Sequence, residues 1–190
     1  MMTCSIDSLS FQQADHSIDI EHGENCLKDV IERLNSLPIQ LHFVHTKDPL
    51  PESFILTYKE QPDAYANSFF PGTPPGDRKI FLHEASFLPA YRGSIFNILC
   101  HEFGHTLGMR HWNATSPGLE ESSLLSVHYP LGSDNQLSVM GPYEHPGTLH
   151  FHPDDEKWLK EFYGKENKSY IQGYKIVDYP VDNVMSGKRT

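Results

Sequence analysis

The sequence predicts an α+β domain: a mixed, twisted sheet, a central helix, and an irregular C-terminal half that closes with a helix. Three observations carry this. Short β-rich runs recur through the first half with one amphipathic helix among them. From Ile95 to Leu107, apolar residues cover most of a helix's girth, the mark of a buried helix. From Trp112 to Leu137 the chain has no periodicity, and a new helix signal begins at Pro153.

In chain order, Ile6 to Phe11 reads as a weak first strand. Leu27, Val30, Ile31 and Leu34 then recur at i, i+3, i+4 and i+7, opposite Lys28, Asp29, Glu32 and Arg33. That is an amphipathic helix beginning near Glu24 and stopped by Pro38. Ile39, Leu41 and Phe43 alternate with Gln40 and His42, a half-buried strand. Phe54 to Tyr58 and Lys79 to Leu82 read as further strands, separated by the loop Pro71–Gly76. Ser94 is placed to cap the helix Ile95–Leu107. The last helix has Asp154, Asp155 and Glu156 in its first turn, an apolar side of Trp158, Leu159, Phe162 and Tyr163, and a stop at Gly164. Residues 1–164 are read as one domain and 165–190 as a polar C-terminal extension.

At 190 residues the chain can bury a substantial core. A formal charge of −10 argues against nucleic acid and against an anionic membrane, both of which need a basic face. No apolar run approaches the roughly 20 residues of a membrane span. The first ten residues lack a basic start and an apolar run, so no secretory signal is expected there. The chain is then expected in the cytoplasm, exported by another route, or relieved of its leader. Cys4, Cys26 and Cys100 form no CxxC and read as reduced thiols. A monomer is expected.

The chemistry concentrates in His101–His111, H-E-F-G-H-T-L-G-M-R-H. His101 and His105, at i and i+4, share a helix face and can address one ion. A straight helix cannot bring His111 to the same ion. Gly108 can break it, because glycine enters the left-handed conformation without a side-chain clash. Three imidazoles with one position left over are the donor set of a catalytic zinc ion rather than a closed structural one. Glu102 beside the first ligand has the chemistry of a general base. His150 and His152 could form a weaker surface pair if their stretch is extended.

The long motif resembles that of the metzincin zinc endopeptidases. The resemblance implies a metzincin-like catalytic domain with one catalytic Zn2+. Ser138-Val139-Met140 is similar to that family's methionine turn, which implies Met140 as the floor of the site rather than a ligand. Among metzincins the chain looks most like the matrixins. Leu34–Thr46, Phe54–Lys59, Ala64–Gly72 with Gly76-Asp77, and Pro153–Gly164 all resemble matrixin stretches, so the likeness spans residues 25 to 164. It implies an edge strand near Lys79–His83 that takes an extended protein or peptide substrate by β-addition. It also implies Pro142 as a wall of the pocket beyond the scissile bond. Tyr143 reads as pocket wall, or as a donor to the transition state with its spacing shifted by one.

The departures bear on substrate. Trp112 stands where matrixins carry Ser or Thr, and 28 residues separate His111 from Met140, far more than in matrixins. The matrixin structural-zinc ligands are missing between Tyr58 and Ala64, and calcium sites are in doubt. No Pro-Arg-Cys switch precedes the motif. Beside the endopeptidase stand two alternatives: a catalytically silent zinc-binding protein of the same fold, and an effector or toxin-type protease dedicated to one target.

Overall fold

The computed structural model describes residues 2–12, 20–48, 50, 53–111, 138–141, 146–166, 168–171 and 174–175. The main elements are β1 (Met2–Ile6), α1 (Ser8–Gln12), α2 (Ile20–Asn35), β2 (Phe43–His45), β3 (Phe54–Lys59), β4 (Ala66–Asn67), β5 (Lys79–His83), α3 (Ile95–Thr106) and α4 (Pro153–Tyr163). A short antiparallel ribbon of β6 (Tyr170–Ile171) and β7 (Tyr174–Lys175) follows, within the expected extension. Among the described residues no helix is long and apolar enough to cross a membrane.

The sheet order is β2-β1-β3-β5-β4. β1, β2, β3 and β5 are parallel, and β4 runs antiparallel to β5. This is a mixed sheet, as the α+β reading expects. α2 and α3 pack against each other, and Phe103 of α3 reaches into the sheet. The Phe103 ring lies 5.8 Å from Phe43 on β2 and 5.5 Å from Phe54 on β3, both edge-on. Phe43 and Phe54 are themselves 6.3 Å apart, so the three rings form one knot in the geometry aromatic pairs prefer.

The structure corrects four expectations. The first strand is Met2–Ile6, not Ile6–Phe11. Residues 8–12 are helical instead, because Asp7 accepts the Ser10 N–H at 3.3 Å and starts a helix turn; Phe11 is buried while Leu9 is 68% exposed. β1 escaped notice because it is flanked by parallel partners on both sides, and its polar Thr3 and Ser5 are buried with Cys4.

The second strand begins at Phe43 rather than Ile39. The Asn35 side-chain amide exchanges two 2.8 Å hydrogen bonds with the backbone of Phe43, pinning the strand's start to the end of α2. Ser94 does occupy the N-cap of α3, but its hydroxyl makes no capping bond; a 3₁₀ turn over Arg92–Ser94 leads into the helix instead. Lastly, Lys79–His83 is not an edge. It pairs with β3 along its length and with β4 at Leu82 and Phe81, so among the described residues β4 is the outermost strand on that side of the sheet.

Candidate metal centre

α3 is buried from end to end of its motif: His101, Glu102, Phe103, Gly104, His105 and Thr106 are all inside. The helix then stops as the sequence requires. Gly108 takes φ +91°, its N–H donates to the His105 carbonyl at 2.9 Å, and the Met109 N–H donates to the Gly104 carbonyl at 2.9 Å. These two bonds are the Schellman pattern that satisfies the last helical carbonyls and reverses the chain. The Tyr163 hydroxyl at the end of α4 caps one more, donating to the Leu107 carbonyl at 3.0 Å.

The reversal delivers His111 beside the other two histidines. The Nε2 atom of His101 lies 3.0 Å from Nε2 of His105 and 3.0 Å from Nε2 of His111. This is a group of at least three potential ligands that could hold one metal ion, and among the described residues it stands alone. Two of the rings have their other nitrogen committed. His105 Nδ1 donates to the Met109 carbonyl at 2.9 Å, and His101 Nδ1 donates to the Val139 carbonyl in a short bond. A neutral imidazole with Nδ1–H so engaged must present a bare lone pair at Nε2. Lone pairs pointed at one another at 3.0 Å repel unless a cation lies among them, so the donor set fits a metal ion. Burial, reinforced by the two neighbouring imidazoles, holds His101 well below the ordinary histidine range, which keeps it in the neutral form a metal needs.

The carbonyl that orients His101 belongs to a turn, Ser138–Gly141, closed by the Gly141 N–H on the Ser138 carbonyl at 2.8 Å. Met140 of this turn is fully buried beneath the helix. A Cβ added at Gly104 would overlap the Met140 sulfur, so glycine at that position is what lets the methionine come so close.

One buried carboxylate holds the turn in place. Asp155, in the first turn of α4, accepts from the Ser138 hydroxyl at 2.5 Å and from the His152 N–H at 2.8 Å, and it is also bonded by the Val139 backbone. The Ser138 oxygen in turn accepts the Met140 N–H at 3.0 Å. Burial pushes the Asp155 carboxyl up, against the pull of these hydrogen bonds.

Of the residues singled out from sequence, the structure brings together His101, His105, His111 and Met140, with Glu102 buried on the same helix. Pro142, Tyr143 and the stretch 112–137 lie outside the described residues. His150 and His152 sit with rings 5.6 Å apart, but His152 Nδ1 is spent accepting the Asp154 N–H as a helix cap. The three cysteines are buried, form no disulfide, and are pushed up by burial, Cys26 to about 11.

Sequence reasoning missed Asp155, the Val139 and Met109 carbonyls, and β4. Asp155 looked like one of three acids favouring a helix start, and nothing in the sequence separates the buried one from its neighbours. The carbonyls carry no residue signature at all.

No protein-family model and no curated protein matches the chain. Solved structures do resemble it. The structure of myroilysin superposes with a TM-score of 0.53 at 11% identity, covering 87% of this chain and 93% of that one. A second structure of myroilysin, a crystal structure, gives 0.49 at 12% identity over 86% and 83%. A crystal structure of archaemetzincin from Methanopyrus kandleri gives 0.47 at 15% identity over 85% and 94%. The first of these likenesses is one of fold, and it agrees with the architecture above.

Proposed function

We propose that this chain is a zinc-dependent endopeptidase in which His101, His105 and His111 hold one zinc ion and Glu102 is the general base. The observation that carries the proposal is the convergence of three Nε2 atoms, two of them on rings fixed through Nδ1 to backbone carbonyls. Bound there, zinc would supply Lewis acidity, acidifying a water and polarising the substrate carbonyl. Glu102 would serve as the base that takes a proton from the attacking water and hands it to the leaving amine. Its place next to His101 on a buried helix gives it the right neighbour and a dry setting for the transfer.

The substrate is an extended peptide or protein segment, added along the outer side of β4. Support for this comes from the residue just past that strand: the Ser68 hydroxyl donates to the Glu102 carbonyl at 3.1 Å, so the outermost strand runs out beside the glutamate. Met140 is the floor of the site, Pro142 a wall of the pocket beyond the scissile bond, and Tyr143 a second wall. Residues 1–164 form the catalytic domain and 165–190 an extension of it. The matrixin character of the cleft rests on the sequence stretches named above.

The test is cleavage of a mixed peptide library by the zinc-loaded chain, with and without chelator, for the parent and for Glu102→Ala. Chelator-sensitive cleavage by the parent, and loss of turnover by at least about 10²-fold in a variant that still folds and binds zinc, is the expected result. Undiminished turnover in Glu102→Ala sinks the base assignment. No cleavage by the zinc-loaded parent favours a silent fold or a protease with one dedicated target.

A further inference from the structure

The turn from His105 to His111 is held internally by bonds between its own residues. The His105 ring is tied to the Met109 carbonyl, and that carbonyl belongs to the same turn. Such a bond fixes the ring relative to the turn and leaves open what fixes the turn relative to the domain. Besides the Tyr163 hydroxyl on the Leu107 carbonyl, two consecutive residues from another part of the chain brace the turn against the domain. Phe70 lies with its ring 5.1 Å from the His105 ring, tilted by 59°. The Arg110 guanidinium sits over the same phenyl ring, 5.9 Å from its centre. Pro71 Cγ stands 3.6 Å from where a Cβ on Gly108 would be, the residue whose positive φ reverses the chain. Three points of the ligand-bearing turn, His105, Gly108 and Arg110, thus rest on one dipeptide.

We propose that Phe70 is a positioning residue for the metal centre: it sets the plane of the His105 ring and, through Arg110, the approach of His111. The physical reason is geometric. An imidazole that binds a metal must aim its lone pair within a narrow cone. The phenyl ring packed against the His105 ring limits rocking about the Nδ1–H···O axis. The attraction between the Arg110 guanidinium and the phenyl face draws Arg110, and so the adjoining His111, toward the same ring. Phe70 lies three residues beyond Asn67, the last residue of β4, with Ser68 between them fastened to the Glu102 carbonyl. The segment that would carry substrate therefore also supports a ligand. The inference rests on the proposal that the three histidines bind a metal.

The experiment measures metal affinity, not turnover. Zn2+ is titrated into the full chain against a chromogenic chelator, and the visible absorption of the Co2+-loaded chain is recorded, for the parent, Phe70→Ala, Phe70→Tyr and Phe69→Ala. Phe69 packs on Phe54 of the core at 5.6 Å and serves to report general loosening of the segment. Phe70→Ala is expected to weaken Zn2+ binding by roughly tenfold or more and to shift the Co2+ bands, as loss of a group supporting a ligand does. Phe70→Tyr keeps the ring and is expected to hold both near the parent. Phe69→Ala is expected to lower the melting temperature while keeping the parent's Co2+ spectrum. Parent-like affinity and spectrum in Phe70→Ala overturn the inference, as does an equal loss in Phe69→Ala; in either case the metal reading stands. A parent chain that binds no Zn2+ overturns both.

Discussion

The two sides of the histidine cluster are built by opposite means. α3 is held by apolar packing: Phe103 is knotted with Phe43 and Phe54, and Ile95, Ile98 and Leu99 are fully buried. The Ser138–Gly141 turn facing it is held by hydrogen bonds that converge on one buried carboxylate, Asp155. Apolar packing is spread over many contacts, so it resists small insults and responds to lost volume. A polar knot with one centre has a single point of failure, because removing Asp155 orphans several donors together. The helix can therefore be expected to set whether the domain folds, and the turn to set how well His101 is aimed.

The largest expected effect lies on the helix side. Phe103→Ala removes the ring that joins α3 to two strands, and should cost about 3–5 kcal/mol. Denaturant unfolding followed by far-UV dichroism measures it, and a cost below about 1 kcal/mol would show that the knot does not hold the helix. Asp155→Ala comes next, at about 2–3 kcal/mol, from leaving the Ser138 hydroxyl and two backbone amides without their acceptor. Here the sharper readout is Zn2+ affinity. It should fall more for Asp155→Ala than for a core variant of equal destabilisation, since the Val139 carbonyl that orients His101 moves with the turn. Equal losses at matched stability would erase the distinction between the two sides.

The same contrast explains what could be read from the sequence. The helix and its histidines were legible because apolar periodicity and the i, i+4 spacing are properties of one local segment. Gly108 was legible because only one residue type suits φ +91°. The turn was found only by its likeness to a family pattern, and its anchor was not found, because Asp155 meets Ser138 across 17 positions of chain by geometry alone. β4 is two residues long and has no periodicity to detect, so the edge was assigned to its longer neighbour β5. β1 failed for a related reason: a strand enclosed by parallel partners has no solvent face to impose alternation.

Besides the His101–Val139 hydrogen bond, the two sides meet where Gly104 admits the Met140 sulfur. Gly104→Ala should raise helix propensity by up to about 1 kcal/mol yet destabilise overall, by about 1–2 kcal/mol, because the added methyl must displace the methionine. Pairing it with Met140→Ala in a double-mutant cycle tests the contact directly. The cycle should recover part of the loss, whereas strict additivity would mean that the two sides do not press on each other.

The smallest effect concerns a polar group inside the apolar half. His83 on β5 is fully buried, with Nδ1 2.9 Å from the Lys59 carbonyl and Nε2 2.7 Å from the Asn67 side chain on β4. Burial lowers its pKa below the ordinary value, with the Lys59 carbonyl bond pulling the other way. The unfolded chain therefore takes up this proton at a higher pH than the folded chain does. In the window from about pH 6.5 down to the lower folded value, the unfolded state holds more protons, so stability rises with pH and is lost as pH falls. In His83→Gln that part of the acid sensitivity should vanish, and the slope of unfolding free energy against pH should flatten by at most about one proton. Denaturation midpoints between about pH 8 and about pH 5.5 for the metal-free parent and variant decide it, and parallel curves would show that His83 takes up its proton equally in the folded and unfolded chain. A flatter variant curve would place a buried titrating group beneath the edge strand β4, within a region otherwise governed by apolar contact.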